Sequence, residues 1–173
     1  MRRMIGAVAM ATLVGLGAVA LPTTGAAAAG RVRTVQFSGT SVFDLLTGGC
    51  SFAQQSFDAT LTTRRGDTLH IEGCADATDG VTFPFTGSFT IQSPGRRGIA
   101  GTVSGTVGTA PATACTTGVP AGLDFELTPV RETRRPHDTA PPLELDGVWC
   151  SPALPRTPGP ISGTLTGVLP PGL

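Results

Sequence analysis

The chain has 173 residues, is 40% hydrophobic and 14% charged, and sets 12 basic residues against 12 acidic ones for a net charge of zero. So even a balance excludes a general nucleic-acid binder, which needs a basic surface to displace counterions. Every basic residue is arginine, and lysine, tyrosine and asparagine are absent. This removes lysine Schiff bases, pyridoxal phosphate chemistry, P-loops and N-glycosylation. The three missing residues share AT-rich codons, so their joint absence fits a GC-rich bacterial genome.

The first 29 residues read as a Sec-type signal peptide. Met1-Arg2-Arg3-Met4 is a positive start, Ile5 to Ala20 an apolar core, and Ala27-x-Ala29 a small-residue cleavage site before Gly30. The apolar core is sixteen residues long and carries Gly6, Gly15 and Gly17, whereas a spanning helix needs about 20 apolar residues. Leu21-Pro22-Thr23-Thr24-Gly25 spells a cell-wall sorting pentapeptide, but the apolar segment precedes it instead of following, so it reads as chance. The expected product is secreted and extracellular, with no membrane span and no anchor. It is a single disulfide-bonded domain over 30–173, 144 residues once 29 of 173 are removed.

Along that domain, apolar residues alternate with polar ones at period two, the signature of half-buried strands. Val35, Phe37 and Gly39 share one face of a first strand that runs to Phe43. Phe57, Ala59 and Leu61 mark a second, and Leu69, Ile71 and Gly73 a third. The fourth aligns Val81, Phe83, Phe85, Gly87, Phe89 and Ile91, with Pro84 on its other face suggesting an edge or bulge. Ile99 to Val107, Leu123 to Leu127 and Ile161 to Leu165 give three more, and Leu143 with Leu145 hints at an eighth. From 129 to 160 the chain is proline-rich and reads as a long excursion pinned by Cys150, with Trp149 over one end of the core.

About eight antiparallel strands, each with one apolar face, must close into a barrel or stack as a sandwich. Repeated inward glycine (Gly39, Gly73, Gly87, Gly101, Gly105, Gly163) favours an up-and-down barrel, because glycine lets a strand bend beside a large neighbour. A β-sandwich is the alternative. The inward phenylalanines, Phe37, Phe57, Phe83, Phe85, Phe89 and Phe125, either fill such a barrel or line a ligand cavity; small barrels are usually filled.

The hairpin Gly87-Ser88-Phe89-Thr90-Ile91, a Gly-Arg-rich turn, then Ile99-Ala100-Gly101-Thr102-Val103-Ser104-Gly105-Thr106, resembles one found in secreted bacterial barrels of the dirigent and allene-oxide-cyclase class. The likeness covers about 20 residues and departs from the pattern where Ser93-Pro94 replaces a glycine pair. It implies an eight-stranded antiparallel barrel, and it carries no catalytic residue.

Four cysteines allow three pairings. No CxxC pair occurs, which argues against zinc, and neither metal nor cofactor is expected. In an up-and-down meander the odd-to-even connections gather at one end, which gives Cys50–Cys74 and Cys115–Cys150. The same logic puts Arg64, Arg65, Arg96 and Arg97 at the opposite end, where Arg131, Arg134 and Arg135 begin the excursion. Such a cluster serves solubility, or it forms a basic rim for an anionic ligand such as a fatty carboxylate or an envelope phosphate.

Catalytic candidates are sparse. His70 and Glu72 share an outward face, His137-Asp138 lies in the excursion, and no GxSxG elbow exists. Arg65-Gly66-Asp67 spells the integrin-binding tripeptide, read as coincidence. The expected function is non-catalytic: a secreted barrel binding a small apolar or anionic amphiphilic ligand at the cell envelope. The alternatives are a cyclase or isomerase barrel and a protein-binding or inhibitor module that uses the 129–160 loop.

Overall fold

The computed structural model describes residues 31–44, 49–51, 54–76, 82–130, 141–154, 156–169 and 173. Eight strands run β1 (Arg33–Asp44), β2 (Gln54–Thr62), β3 (Thr68–Asp76), β4 (Phe83–Gln92), β5 (Ile99–Thr109), β6 (Val119–Pro129), β7 (Leu143–Ser151) and β8 (Gly159–Gly167). They close into one barrel in sequence order, every neighbour antiparallel, with β8 pairing back onto β1. A single 3₁₀ turn, Ala112–Ala114, interrupts the β5–β6 connection. No helix among the described residues is long and apolar enough to cross a membrane. The fold is therefore the barrel, not the sandwich.

β7 occupies the middle of the 129–160 stretch, so that stretch is not one irregular excursion. Leu143, Leu145 and Trp149 are buried at alternate positions, the ordinary pattern of a half-buried strand. Val81, expected to open the fourth strand, lies outside the described residues. Pro84 pairs with Thr106 on β5, one residue beyond the last β3–β4 pair, Ala75 with Phe85. The chain there has a strand on one side only, so the missing N–H breaks no second ladder.

The interior is filled with side chains. Phe57, Phe85, Phe89 and Phe125 are fully buried, among a core cluster that runs from Phe37 to Leu173. Their packing depends on the inward glycines. Phe85, Gly105, Phe125, Leu145 and Leu165 form one register row from β4 to β8. Gly105 sits between the two phenylalanines, whose rings stack with centroids 4.7 Å apart and planes at 22°. A Cβ on Gly105 would overlap the Asp124 carbonyl oxygen and come within 2.9 Å of Phe125 Cδ1. The same device recurs. A Cβ on Gly73 would reach Phe85 Cζ at 2.6 Å, and one on Gly101 would reach Phe89 Cε1 at 2.7 Å. Rings from neighbouring strands thus cover bare backbone, and the strands bend there enough to close a narrow tube.

Both disulfides lie at one end. Cys50 in the β1–β2 connection is joined to Cys74 on β3, and Cys115 in the β5–β6 connection to Cys150 on β7, each with Cα atoms 5.7 Å apart. Trp149 packs beneath them, edge-on to Phe57 at 5.6 Å and tilted against Phe43 at 5.2 Å.

Gly105→Ala is expected to cost about 3 kcal/mol, because the added methyl meets backbone and ring together. Gly108→Ala, whose Cβ would meet nothing nearer than Thr82 Oγ1 at 4.0 Å, should stay within about 0.5 kcal/mol of the parent. Urea unfolding of the two variants checks the contrast.

Candidate functional site

The hairpins that carry the arginines are built by turn chemistry. In the β2–β3 turn, Gly66 at φ 86° sends its N–H back to the Thr63 carbonyl at 3.1 Å. In the β4–β5 turn, Pro94 precedes Gly95 at φ 72°, and Arg96 N–H returns to the Ser93 carbonyl at 3.1 Å. Proline followed by a left-handed glycine is the sequence of a type II turn. The two tips touch, since a Cβ on Gly66 would lie 3.6 Å from Pro94 Cγ. Arg64, Arg65, Arg96 and Arg97 are therefore exposed at one end of the barrel, opposite the disulfides. Arg131, Arg134, Arg135, His137 and Asp138 lie outside the described residues.

The structure does not unite the four predicted arginines in one pocket. Arg64 and Arg65 border an open groove of about 1160 Å³ on the outer wall, and Arg96 and Arg97 do not. Arg31 and Arg33, at the start of β1, complete the basic side of that groove. Arg33 Nη1 donates to the main-chain oxygen of Leu173 at 2.9 Å, while Arg31, Arg64 and Arg65 project into solvent. In a meander, the beginning of β1 and the β2–β3 hairpin share an end, so the strand order held this signal. The groove floor is hydroxyl and amide: Thr34, Gln36 and Thr164 face outward there. Val32, 62% exposed, adds an apolar side chain at the basic edge.

The far edge is acidic. Asp146 lines the groove, and behind it β6 and β7 set like charges directly opposite each other, Asp124 against Asp146 and Glu126 against Glu144. All four are exposed. Such pairs repel across a ladder. They do not converge on a point, since no group of three or more histidine, cysteine or acidic side chains among the described residues is placed to hold a metal ion.

Catalytic geometry is thin. His70 Nε2 lies 3.3 Å from Asp58 Oδ2, and Glu72 Oε1 accepts from Ser88 Oγ at 3.0 Å. Both contacts are on the outer wall, so His70 and Glu72 each join a neighbouring strand and form no dyad. Inside the barrel, Ser41 is the one buried polar side chain among the described residues. The other buried polar residue, Asp67, belongs to the β2–β3 hairpin. Thr63 Oγ1 donates to Asp67 Oδ2 at 2.8 Å, and the Asp67 N–H donates to Thr63 Oγ1 at 3.1 Å. The tripeptide at 65–67 thus turns its carboxylate inward, 2% exposed, where it holds the turn instead of offering itself to a receptor.

Compared with known proteins, the chain matches no protein-family model, no curated protein and no solved structure.

Since the Asp67 carboxylate is committed to Thr63, surfaces coated with the protein should support no cell attachment that Arg65→Ala removes. An adhesion assay comparing the two proteins reads this directly.

Proposed function

We propose that this protein is a secreted, non-catalytic β-barrel that binds an anionic amphiphile at the cell envelope, holding the ligand on its outer wall. The observation that carries the reading is the groove in which Arg31, Arg33, Arg64 and Arg65 border a hydroxyl floor with Val32 beside them. Four clustered guanidinium groups outnumber the two aspartates that also line the groove, the exposed Asp146 and the Asp67 already bonded to Thr63, and such a cluster attracts and orients a carboxylate or phosphate head. Val32 and the half-buried Val148 offer apolar contact to a tail. A ligand swallowed by the barrel is disfavoured, because phenylalanine and leucine already fill that space. A cyclase or isomerase would need an acid or base inside, and the described interior holds a lone serine hydroxyl. Paired disulfides suit the oxidising exterior to which the leader would send the chain.

Calorimetric titration with palmitate and with dodecyl phosphate, each below its micellar concentration, tests the reading. Arg64→Glu/Arg65→Glu should weaken binding roughly tenfold or more, and added salt should weaken it further. Asp146→Asn should strengthen it a few-fold by removing repulsion at the far edge. Arg96→Glu/Arg97→Glu, which acts only through the longer-range field, should change affinity by less than roughly threefold. No binding of either probe, or equal affinity in the Arg64→Glu/Arg65→Glu protein, overturns the proposal.

A further inference from the structure

At the end of the barrel opposite the arginine groove, two polar atoms are buried with no protein partner: Ser41 Oγ and Trp149 Nε1. Ser41 is 1% exposed and Trp149 4%. An indole N–H or a hydroxyl left unpaired in an apolar core is costly, and nearly all such groups in folded proteins have a partner. Here the two orphans converge on one place. Ser41 is the cross-strand neighbour of Gly159 between β1 and β8, and both face inward. A Cβ on Gly159 would lie 2.9 Å from Trp149 Nε1 and nearer still to Pro152 Cδ and the Cys150 carbonyl oxygen, so the indole nitrogen abuts the bare backbone of that glycine within a closely packed surround. Phe43, only partly buried, packs its ring against Trp149 and supplies an apolar wall.

A second feature marks the same end. Arg156 is the one non-glycine residue with positive φ among the described residues, at 61°. It is held there by its own N–H donating to the Phe43 carbonyl at 3.1 Å and by its Nε donating to Asp44 Oδ2 at 2.8 Å. The segment before β8 is thereby fastened beside Phe43, at the rim of the place where Ser41 and Trp149 meet. A non-glycine residue in this region persists only where its surroundings over-determine it.

We propose that this end of the barrel is a binding site for a single oxygen atom, one that accepts from Trp149 Nε1–H and bonds to Ser41 Oγ above Gly159. The indole is a donor only, so the occupant must present a lone pair; an ammonium group cannot fill the place, whereas a hydroxyl, carbonyl or carboxyl oxygen can. The serine hydroxyl donates or accepts as the occupant requires. Two sources share this chemistry: a sequestered water, and the hydroxyl or carboxyl head of a small molecule whose short tail lies along Phe43. The site is separate from the arginine groove and does not depend on it.

Trp149 is the only tryptophan in the chain, so its indole gives a single resonance in the ¹⁵N-labelled protein. With a bound water, that N–H shows a cross-peak to a long-lived water proton, and neither 1-butanol nor sodium butyrate disturbs it. With an organic occupant, one of the two probes shifts the indole resonance and removes any water cross-peak. Either result supports the oxygen site and names its source. Ser41→Ala, checked for its fold by circular dichroism, should speed exchange of the indole proton roughly tenfold by deleting one of the two anchors. Absence of a water cross-peak together with indifference to both probes overturns the proposal in the parent protein alone, whether or not the variant folds. An unchanged indole shift and exchange rate in folded Ser41→Ala overturns it as well.

Discussion

Everything in this barrel depends on rings resting on glycine. Eight strands make a tube whose bore is just wide enough for its own side chains. Four fully buried phenylalanines would crowd it if every inward position carried a Cβ. Gly73, Gly101 and Gly105 remove the obstacle at the points where Phe85, Phe89 and Phe125 press down. The rings return the apolar contact that the glycines lack and shield their backbone from water. The same bare positions let the adjacent strands approach and bend. Gly73 faces Gly87 across β3 and β4, and Gly147 faces Gly163 across β7 and β8. Packing and closure are therefore one constraint at these positions, where a Cβ beneath the ring would meet both the ring and the neighbouring backbone.

Closure in strand order then sorts the chemistry to opposite ends. The meander gathers both disulfides, Trp149 and the Asp44–Arg156 ion pair at one end. It gathers Arg31, Arg33, Arg64, Arg65, Arg96 and Arg97 at the other. The outer wall between them is mostly threonine and serine, with acids confined to the β6–β7 face and the β2–β3 pair. A chain with zero net charge is in this way strongly polarised in space, and composition alone hides that.

Much of the fold could be read from the sequence because alternation is a local signal. Phe57, Ala59 and Leu61, or Leu123, Phe125 and Leu127, declare a buried face without knowledge of any neighbour. The cysteine pairs followed from strand order, since a meander leaves few connections able to meet. What escaped detection needed register or continuity. Ser41 continues the inward parity of Phe37 and Gly39, but a hydroxyl does not announce itself as core. β7 was legible only at its start, through Leu143 and Leu145, because Gly147 and the outward Glu144 and Asp146 dilute its apolar residues within a proline-rich stretch. Arg31 and Arg33 stand at the start of β1, and only the strand order brings them beside the β2–β3 hairpin. The facing carboxylates of β6 and β7 are far apart in sequence, and only the pairing of those strands brings them together. That the Asp67 carboxylate is buried and bonded to Thr63, four residues earlier, is a property of the folded turn that the tripeptide alone does not declare.

The seam between β1 and β8 has a final implication. It joins Arg33 to Gly167, almost the two extremes of the described chain, and no other ladder spans so much sequence. Such distant pairing is entropically slow to form, so the ring stays open until its last strand arrives. During that interval β1 and its eventual partner both present unpaired backbone, an invitation to other chains. Losing β8 would leave two permanent raw margins in place of none. Freedom from edge-to-edge aggregation thus rests on this one seam, because it alone turns an open sheet with two margins into a ring with none.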